Sequence, residues 1–510
     1  MISEILKKII VENIEKVFNI KINESKIKLE YPPKDMGDFA YPIGFLLAKE
    51  LKTNPFLIVE KISNSINSTQ NYIKTDPAKG YLNIFLTPEF IDKTIKEYIN
   101  RKDFLDFPKN NQKVIIEFVS ANPTGPLHIG HGRWAALGDS IARLLEKIGY
   151  TVYREFYVND AGKQIENLKK TIEALREGRD IPEDGYKGEY VKEAINEKEP
   201  HIFFLNQQKK DLKDFNVEFD NYFHETSVYP KIKDAIEKLK DKGLIYEKDD
   251  AIWFSSTTYG DDKDRVLVKS DGIYTYFAPD IAYHLTKIER GFDWIIDILG
   301  ADHHGYVNRL SAAIKALSKK EIKFSVVIGQ LVNLFRNKEP IRMSKRAGDI
   351  ITLKEVMEEI EKDALRYILV SKKATQPIDF DIEDVKKKSK ESPVFYIQYA
   401  FARINSILTK TEEEINSSVS LMEINSIERE ILVEIIKFKD IIYQAGTDME
   451  PHILANYLLN LSGLFHTFYE KYRVIDNNKT IQYRVLIIKS IAKTLKEGLK
   501  ILGIDSPEKM

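Results

Sequence analysis

The chain has 510 residues, 43% hydrophobic and 30% charged, with 77 Lys and Arg against 78 Asp and Glu for a formal net charge of −1. That length exceeds one compact core and suggests about three domains, while no apolar run reaches the roughly eighteen residues a membrane span needs. The absence of cysteine excludes disulfides, thiolate zinc sites and a cysteine nucleophile and agrees with a reducing compartment, and the balanced charge means that nucleic-acid binding must rely on local patches.

The opening MISEILKKIIVENIEKVF places Ile2, Ile5, Leu6, Ile9, Ile10 and Phe18 at three- and four-residue spacing. This predicts an amphipathic helix and not a secretory signal, so a cytoplasmic protein is expected. A turn-rich stretch, YPPKDMGDFAYP (31–42), and a strand at GYLNIFL (80–86) complete a small α+β domain over 1–108. At 113, KVIIEFVS reads as a buried strand. Trp134, Leu137, Ile141, Leu144, Leu145 and Ile148 follow at helical spacing, Gly149 supplies a C-terminal cap, and TVYREFYV (151–158) is the next strand. A second strand–loop–helix–strand unit runs from WIIDILG (294–300) through ADHHG to FSVVIGQLV (324–332). Two such halves predict a multidomain α/β protein whose catalytic domain, 109–362, is a Rossmann-like doubly wound parallel sheet with its ligand at the carboxyl ends of the strands. Residues 165–265 are charged and predict a helical insertion. From about 356 the pattern is almost purely helical, with apolar spacing near 427–445, 451–472 and 481–502, so 363–510 is expected to form an all-α helical bundle.

The chemistry concentrates in SANPTGPLHIGHGRW (120–134). Gly125, Gly130 and Gly132 remove side chains where a backbone or base must come close, and the helix starting near His131 aims free N–H groups and its dipole at the loop. This is a phosphate site to which His128 and His131 add donors. Two alternatives stay open for the loop alone: a metal held by the two histidines, although no third ligand has the usual zinc spacing, and structural histidines beside capping glycines. RMSKRAGD (342–349) offers a lysine and an arginine able to cover a polyphosphate, and VKKKSK (385–390), beside Lys372 and Lys373, reads as a solvated face or a phosphate contact.

HIGH at 128–131 and MSK at 343–345 resemble the signature motifs of class I aminoacyl-tRNA synthetases. With YVNDAGKQI (157–165), LGADHHGYVNR (299–309) and DALRYILV (363–370) they resemble the bacterial-type arginyl-tRNA synthetase family. GDFAYPIGFLLAK (37–49) is similar to that family's amino-terminal added domain, and YIQYAFARINSIL (396–408) with the final SPEKM is similar to its anticodon-binding domain. One departure is Arg342, where the usual motif begins with lysine; the second lysine, Lys345, is kept.

The resemblance implies ATP-dependent attachment of L-arginine to tRNA(Arg) through an arginyl-adenylate, by a monomer that needs tRNA before it activates arginine. It makes His128, His131 and Lys345 catalytic and assigns Gly130, Gly132, Gly300, Asp302, Met343, Ser344 and Lys345 to ATP. ATP arrives with Mg²⁺ as substrate, without a permanent cofactor or a protein-built metal cage. A guanidinium needs carboxylates and an aromatic wall; the family match puts Tyr276, Asp280 and Glu225 there, although Tyr276 and Asp280 alone would equally suit a capped helix N-terminus. Ser120, Asn122 and His303 are implied at the α-ammonium end. Lys386, Lys387, Lys388, Tyr396, Tyr399 and Arg403 are implied at the anticodon, where Phe395, Tyr396 and Tyr399 would otherwise read as helix core. The amino-terminal domain would touch the tRNA elbow.

Overall fold

The computed structural model describes residues 1–341, 351–387, 392–411, 419–476 and 479–510, without the side chains of 34 and 302–304. The centre is a five-stranded sheet of β1 (Lys113–Glu117), β2 (Thr151–Val158), β3 (Asn221–His224), β4 (Trp294–Gly300) and β5 (Lys323–Gly329). Its order is β5-β4-β1-β2-β3, and every neighbouring pair is parallel. The order reverses between β1 and β4, so the loops leaving these two strands diverge and open a crevice at their carboxyl ends.

β1 leads through an irregular loop into α1 (Ile129–Lys147), which ends at Gly149. With φ +100 there, and a Cβ that would sit 2.2 Å from the Pro108 carbonyl oxygen, this position accepts only glycine. Between β2 and β3 the chain leaves the sheet as two helices, Lys163–Arg176 and Pro200–Asp214, around a small core of Leu168, Ile172, Val191, Ala194 and Phe204. The expected helical insertion is therefore interrupted: Asn221–His224 returns as the edge strand, and Ile245–Lys248, Ala251–Phe254 and Arg265–Val268 form an antiparallel sheet. Short half-buried strands amid charged helices leave little periodicity to read. α2 (Phe277–Glu289) then packs against this sheet and leads to β4.

The amino-terminal unit places the helix Ile2–Phe18 with a three-stranded antiparallel sheet, in which Tyr81–Leu86 lies between Phe39–Tyr41 and Ile73–Ala78. The carboxyl-terminal half contains α3 (Leu353–Ile360), α4 (Lys362–Val370), α5 (Pro393–Leu408), α6 (Ser426–Thr447), α7 (Pro451–Lys471) and α8 (Gln482–Ile501). It is not purely helical, since Ile378–Asp381 pairs in parallel with Val332–Arg336 and stitches the half to the catalytic sheet region.

Ion pairs, one partly and one fully buried, fix these parts together. Arg429 of α6 grips Asp38 with two hydrogen bonds of 2.9 and 2.7 Å, and the same carboxylate accepts the Leu86 amide at 2.7 Å. Arg366 of α4 is fully buried and donates to Asp139 of α1 at 2.6 Å and to the carbonyls of Phe215 and Leu502 at 2.9 and 3.0 Å. One apolar cluster runs from Ile2 through β1 and α1 to Ile504. Among the described residues, no helix is long and apolar enough to cross a membrane.

Candidate active site

The loop after β1 presents the HIGH turn. Val119 and Ser120 both have positive φ, +70 and +41, a conformation costly for a β-branched residue and typical of a loop held for a purpose. The Ser120 hydroxyl donates to Glu117 at 3.0 Å and accepts from the Tyr157 amide at 3.1 Å. His128 is the N-cap of α1: its Nδ1 accepts from the Gly130 amide at 3.1 Å, and the Nδ1 of His131 accepts from the His128 amide at 3.2 Å. In the neutral ring both protons then reside on Nε2, which makes each histidine a donor on its outer edge. The rings stack 3.7 Å apart beside the positive end of the helix.

The glycines serve packing more than expected. A Cβ at Gly132 would lie 2.7 Å from Leu353 Cδ1, one at Gly125 would lie 2.7 Å from the Tyr190 ring, and one at Gly130 would meet the His128 ring at 2.9 Å. Arg133, the next residue of α1, is fully buried and has no carboxylate among its hydrogen-bond partners. Its guanidinium donates to the carbonyls of Gln330 and Leu331 at 2.8 and 3.2 Å, and to those of Lys373, Ala374 and Gln376 at 3.0, 3.3 and 2.6 Å. Burial pushes its pKa down to about 10. The HIGH helix is thereby tied to the segment that follows β5 and to the entry of the carboxyl-terminal half.

At the carboxyl ends of β1, β2 and β4 lies a cleft of about 340 Å³, lined by Glu117, Tyr157, Glu225, Tyr276, Asp280 and Tyr283 among others. Its floor is a buried charge network. Glu117 and Asp297 are register partners on β1 and β4, and Lys287 of α2 bridges them at 2.6 and 2.8 Å. His284 reaches the second Asp297 oxygen at 2.9 Å. Burial opposes the charge on Asp297, but Lys287 and His284 outweigh it and hold the carboxyl well below its ordinary range; Lys287 is raised in turn, its burial outweighed by Asp297, Glu117 and Glu155.

The walls are different. Asp280 is pushed up to about 7, chiefly by burial, with His284 opposing and Glu117, Asp297 and Glu225 adding to the rise. Glu225 is raised by burial, against its hydrogen bond from Tyr229 and with Asp160 adding, and among the described residues its buried Oε2 has no hydrogen-bond partner. Among the described residues neither carboxyl is paired with a lysine or an arginine, and two acids in one cleft call for a cationic ligand. Tyr276 stands at the rim, 90% exposed, where a planar cation could lie against its ring.

The structure thus brings Glu225, Tyr276 and Asp280 together, with Ser120 hydrogen-bonded to the cleft residue Glu117. Asn122 is half-buried on the same loop. Gly300 ends β4, and Asp302 and His303 follow in the 3₁₀ turn Ala301–Tyr306, their side chains undescribed. Arg342, Met343, Ser344, Lys345 and Lys388 lie outside the described residues. Sequence reasoning missed Glu117, Asp297 and Lys287. The available signal was one carboxylate in each of two mostly apolar strand runs, VIIEF and WIIDILG, where charge is rarely buried without a role.

On the bundle, Tyr399 and Arg403 are exposed on α5. Tyr396 and Tyr399 pack on His466 of α7 at 4.2 and 5.8 Å, Phe395 stacks with Tyr399, and Arg403 donates to the Tyr469 hydroxyl at 3.0 Å. This is a partly exposed aromatic face rather than helix core. Lys386 pairs with Glu359 at 2.7 Å and Lys387 with Asp384 at 2.6 Å, so their charge is locally balanced.

Three family models cover the chain: "Arginyl tRNA synthetase N terminal domain" over residues 4–86, "tRNA synthetases class I (R), catalytic domain" over 95–182 and 186–407, and "DALR anticodon binding domain" over 397–510. An arginine–tRNA ligase of Shouchella clausii is 43% identical across 94% of this chain and 93% of its own length. One from Aquifex aeolicus is 35% identical across 99% and 100%. The solved arginyl-tRNA synthetase of Thermus thermophilus, 22% identical, superposes over 100% of both chains with a TM-score of 0.83, a likeness of fold. A catalytic-domain match over more than half the chain, with relatives this similar along nearly all of it, shows that the protein belongs to the arginyl-tRNA synthetase family.

Proposed function

We infer that the protein attaches L-arginine to tRNA(Arg) in an ATP-dependent reaction through an arginyl-adenylate, for protein synthesis. The observation that carries this reading is the cleft at the carboxyl ends of β1 and β4, where Asp280 and Glu225 lie below the aromatic rim of Tyr276 with neither paired to a lysine or an arginine among the described residues. The substrate guanidinium supplies the missing charge, and its planar fork suits two carboxylates better than a lysine ammonium would. The α-ammonium end lies toward Ser120, Asn122 and Glu117, with His303 on the opposite loop.

A carboxylate is already nucleophilic at neutral pH, so the first step needs alignment and charge neutralisation rather than a general base. The arginine carboxylate oxygen attacks the α-phosphorus of ATP, a P–O bond forms, and the bond to pyrophosphate breaks. His128 and His131 donate from Nε2 to the phosphates at the start of α1. Gly130, Gly300 and Asp302 contact the nucleotide, Gly132 instead packs against Leu353, and Met343, Ser344 and Lys345 cover the leaving pyrophosphate with Mg²⁺ that enters on ATP. The ribose hydroxyl of the tRNA terminus then attacks the adenylate carbonyl and releases AMP.

The unit 1–108 meets the tRNA elbow, 109–362 carries the chemistry with 165–265 as its insertion, and 363–510 reads the anticodon. Tyr396, Tyr399 and Arg403 form the anticodon face, with Lys386, Lys387 and Lys388 near phosphates. We place the protein in the cytoplasm as a monomer. Charging of total tRNA with each of the twenty amino acids tests the reading: arginine alone should be attached, and attachment of any other amino acid in its place would overturn it.

A further inference from the structure

The insertion is more than a passenger on the catalytic fold. Its helix Pro200–Asp214 buries Phe204, Leu205, Gln208, Asp211 and Leu212. Phe204 packs into the small core of the insertion, while Leu205 and Leu212 join the main core. Gln208 stands in this stripe, 1% exposed, where a leucine or methionine would bury more apolar surface at no desolvation cost. Its amide instead donates from Nε2 to the carbonyl oxygens of Asn122 at 3.0 Å and Gly125 at 2.8 Å, and its own Oε1 is buried without a partner among the described residues. Both acceptors belong to the loop between β1 and α1, which contains the positive-φ pair Val119 and Ser120 and has no ladder to hold it. The Tyr190 ring, also from the insertion, presses on Gly125 of that loop.

We propose that Gln208 is a positioning residue for arginine activation: by gripping the backbone on either side of Pro123 and Thr124 it sets Asn122 and Ser120 against the substrate. This rests on the assignment of those two residues to arginine in the function above. An unsatisfied pair of carbonyls would relax toward other donors, and the strained loop would lose the two side-chain hydrogen bonds that brace it from the insertion.

Two variants test the proposal, with steady-state charging normalised to titrated active sites so that misfolded protein does not count. Gln208→Met keeps length and apolar volume but removes both donors; it should raise KM for arginine about tenfold and KM for ATP by less than about twofold. In an Asn122→Ala background the same change should add less than about twofold, because the two residues act as one unit. Gln208→Glu keeps the shape and puts a carboxylate against two carbonyls, so its activity relative to wild type should recover between pH 8 and pH 6 as the acid gains a proton to donate. Lys210→Ala, on the exposed side of the helix, should match wild type. Normalised kinetics unchanged in Gln208→Met, or effects of Gln208 and Asn122 that simply multiply, would overturn the positioning role. If Gln208→Met fails to fold, the pH recovery of Gln208→Glu decides, and a flat ratio counts against it. A wild-type protein that charges no arginine would sink the function reading instead, and is seen before any variant is made.

Discussion

Asp280→Asn replaces a carboxyl by an amide of the same shape, so it isolates charge from packing. With its pKa pushed up to about 7, chiefly by burial, wild-type Asp280 is ionised above that pH and protonated below it. Only the ionised form pairs with a guanidinium, so each unit below 7 raises the apparent dissociation constant tenfold, and affinity for arginine should fall about tenfold between pH 8 and pH 6. The stability of the ligand-free protein has the opposite slope. Between the ordinary aspartate value of 3.8 and the raised value, the folded state holds a proton that the unfolded chain has lost. This group's contribution therefore declines as pH rises through that window, and arginine offsets the loss. Removing the charge from a desolvated pair costs about 2 to 5 kcal/mol, or roughly 30- to 5,000-fold in affinity. Calorimetric titration of arginine at pH 6, 7 and 8 into both proteins gives affinity and slope together. An Asp280→Asn affinity within about threefold of wild type at pH 8, or the same pH slope in the variant, would refute the assignment of the guanidinium to this carboxyl.

Three further outcomes are expected. Tyr399→Ala should weaken tRNA binding by about 1 to 3 kcal/mol through lost base stacking, and Arg403→Ala should lower the salt slope of tRNA binding by about one; filter-binding titrations at several salt concentrations that show neither would remove α5 from the tRNA surface. Arg366→Met leaves Asp139 with Arg143 and Arg154, and the Asn216 carbonyl with Arg143, but strips the Phe215 and Leu502 carbonyls of their donor, and should cost about 3 kcal/mol in urea unfolding; an unchanged midpoint contradicts its role as a tie between domains. Gly132→Ala drives a Cβ against the fully buried Leu353 and should cost about 1 to 3 kcal/mol, relieved by adding Leu353→Ala. No relief in the double variant would mean that the glycine serves something other than packing.

Apolar patterning exposes β1, β2, β4, α1 and the last three helices, because these strands are rich in β-branched and aromatic residues and these helices are long, with faces buried by their own apolar residues. It fails at Phe39–Tyr41 and Asn221–His224, strands of three and four residues whose partners lie far along the chain, and at Ile73–Ala78, a hairpin strand in which Asp76 and Pro77 break the apolar alternation. The site divides in the same way. His128, His131, Tyr276 and Asp280 sit in local motifs with turn or helix-start chemistry around them. Glu117, Asp297, Lys287 and Gln208 become functional neighbours only when β1, β4, α2 and the insertion converge, and nothing in their local sequence spacing reports that convergence. Arg133 likewise reads as one more charged helix residue until its five carbonyl acceptors are seen.

The measurement that bears most directly on the account is pyrophosphate exchange with each of the twenty amino acids, with and without total tRNA. Exchange with arginine alone, and only when tRNA is present, is the predicted result. Exchange driven by a different amino acid, or none under any condition, would leave the fold standing and contradict the assignment of the acidic cleft to arginine activation.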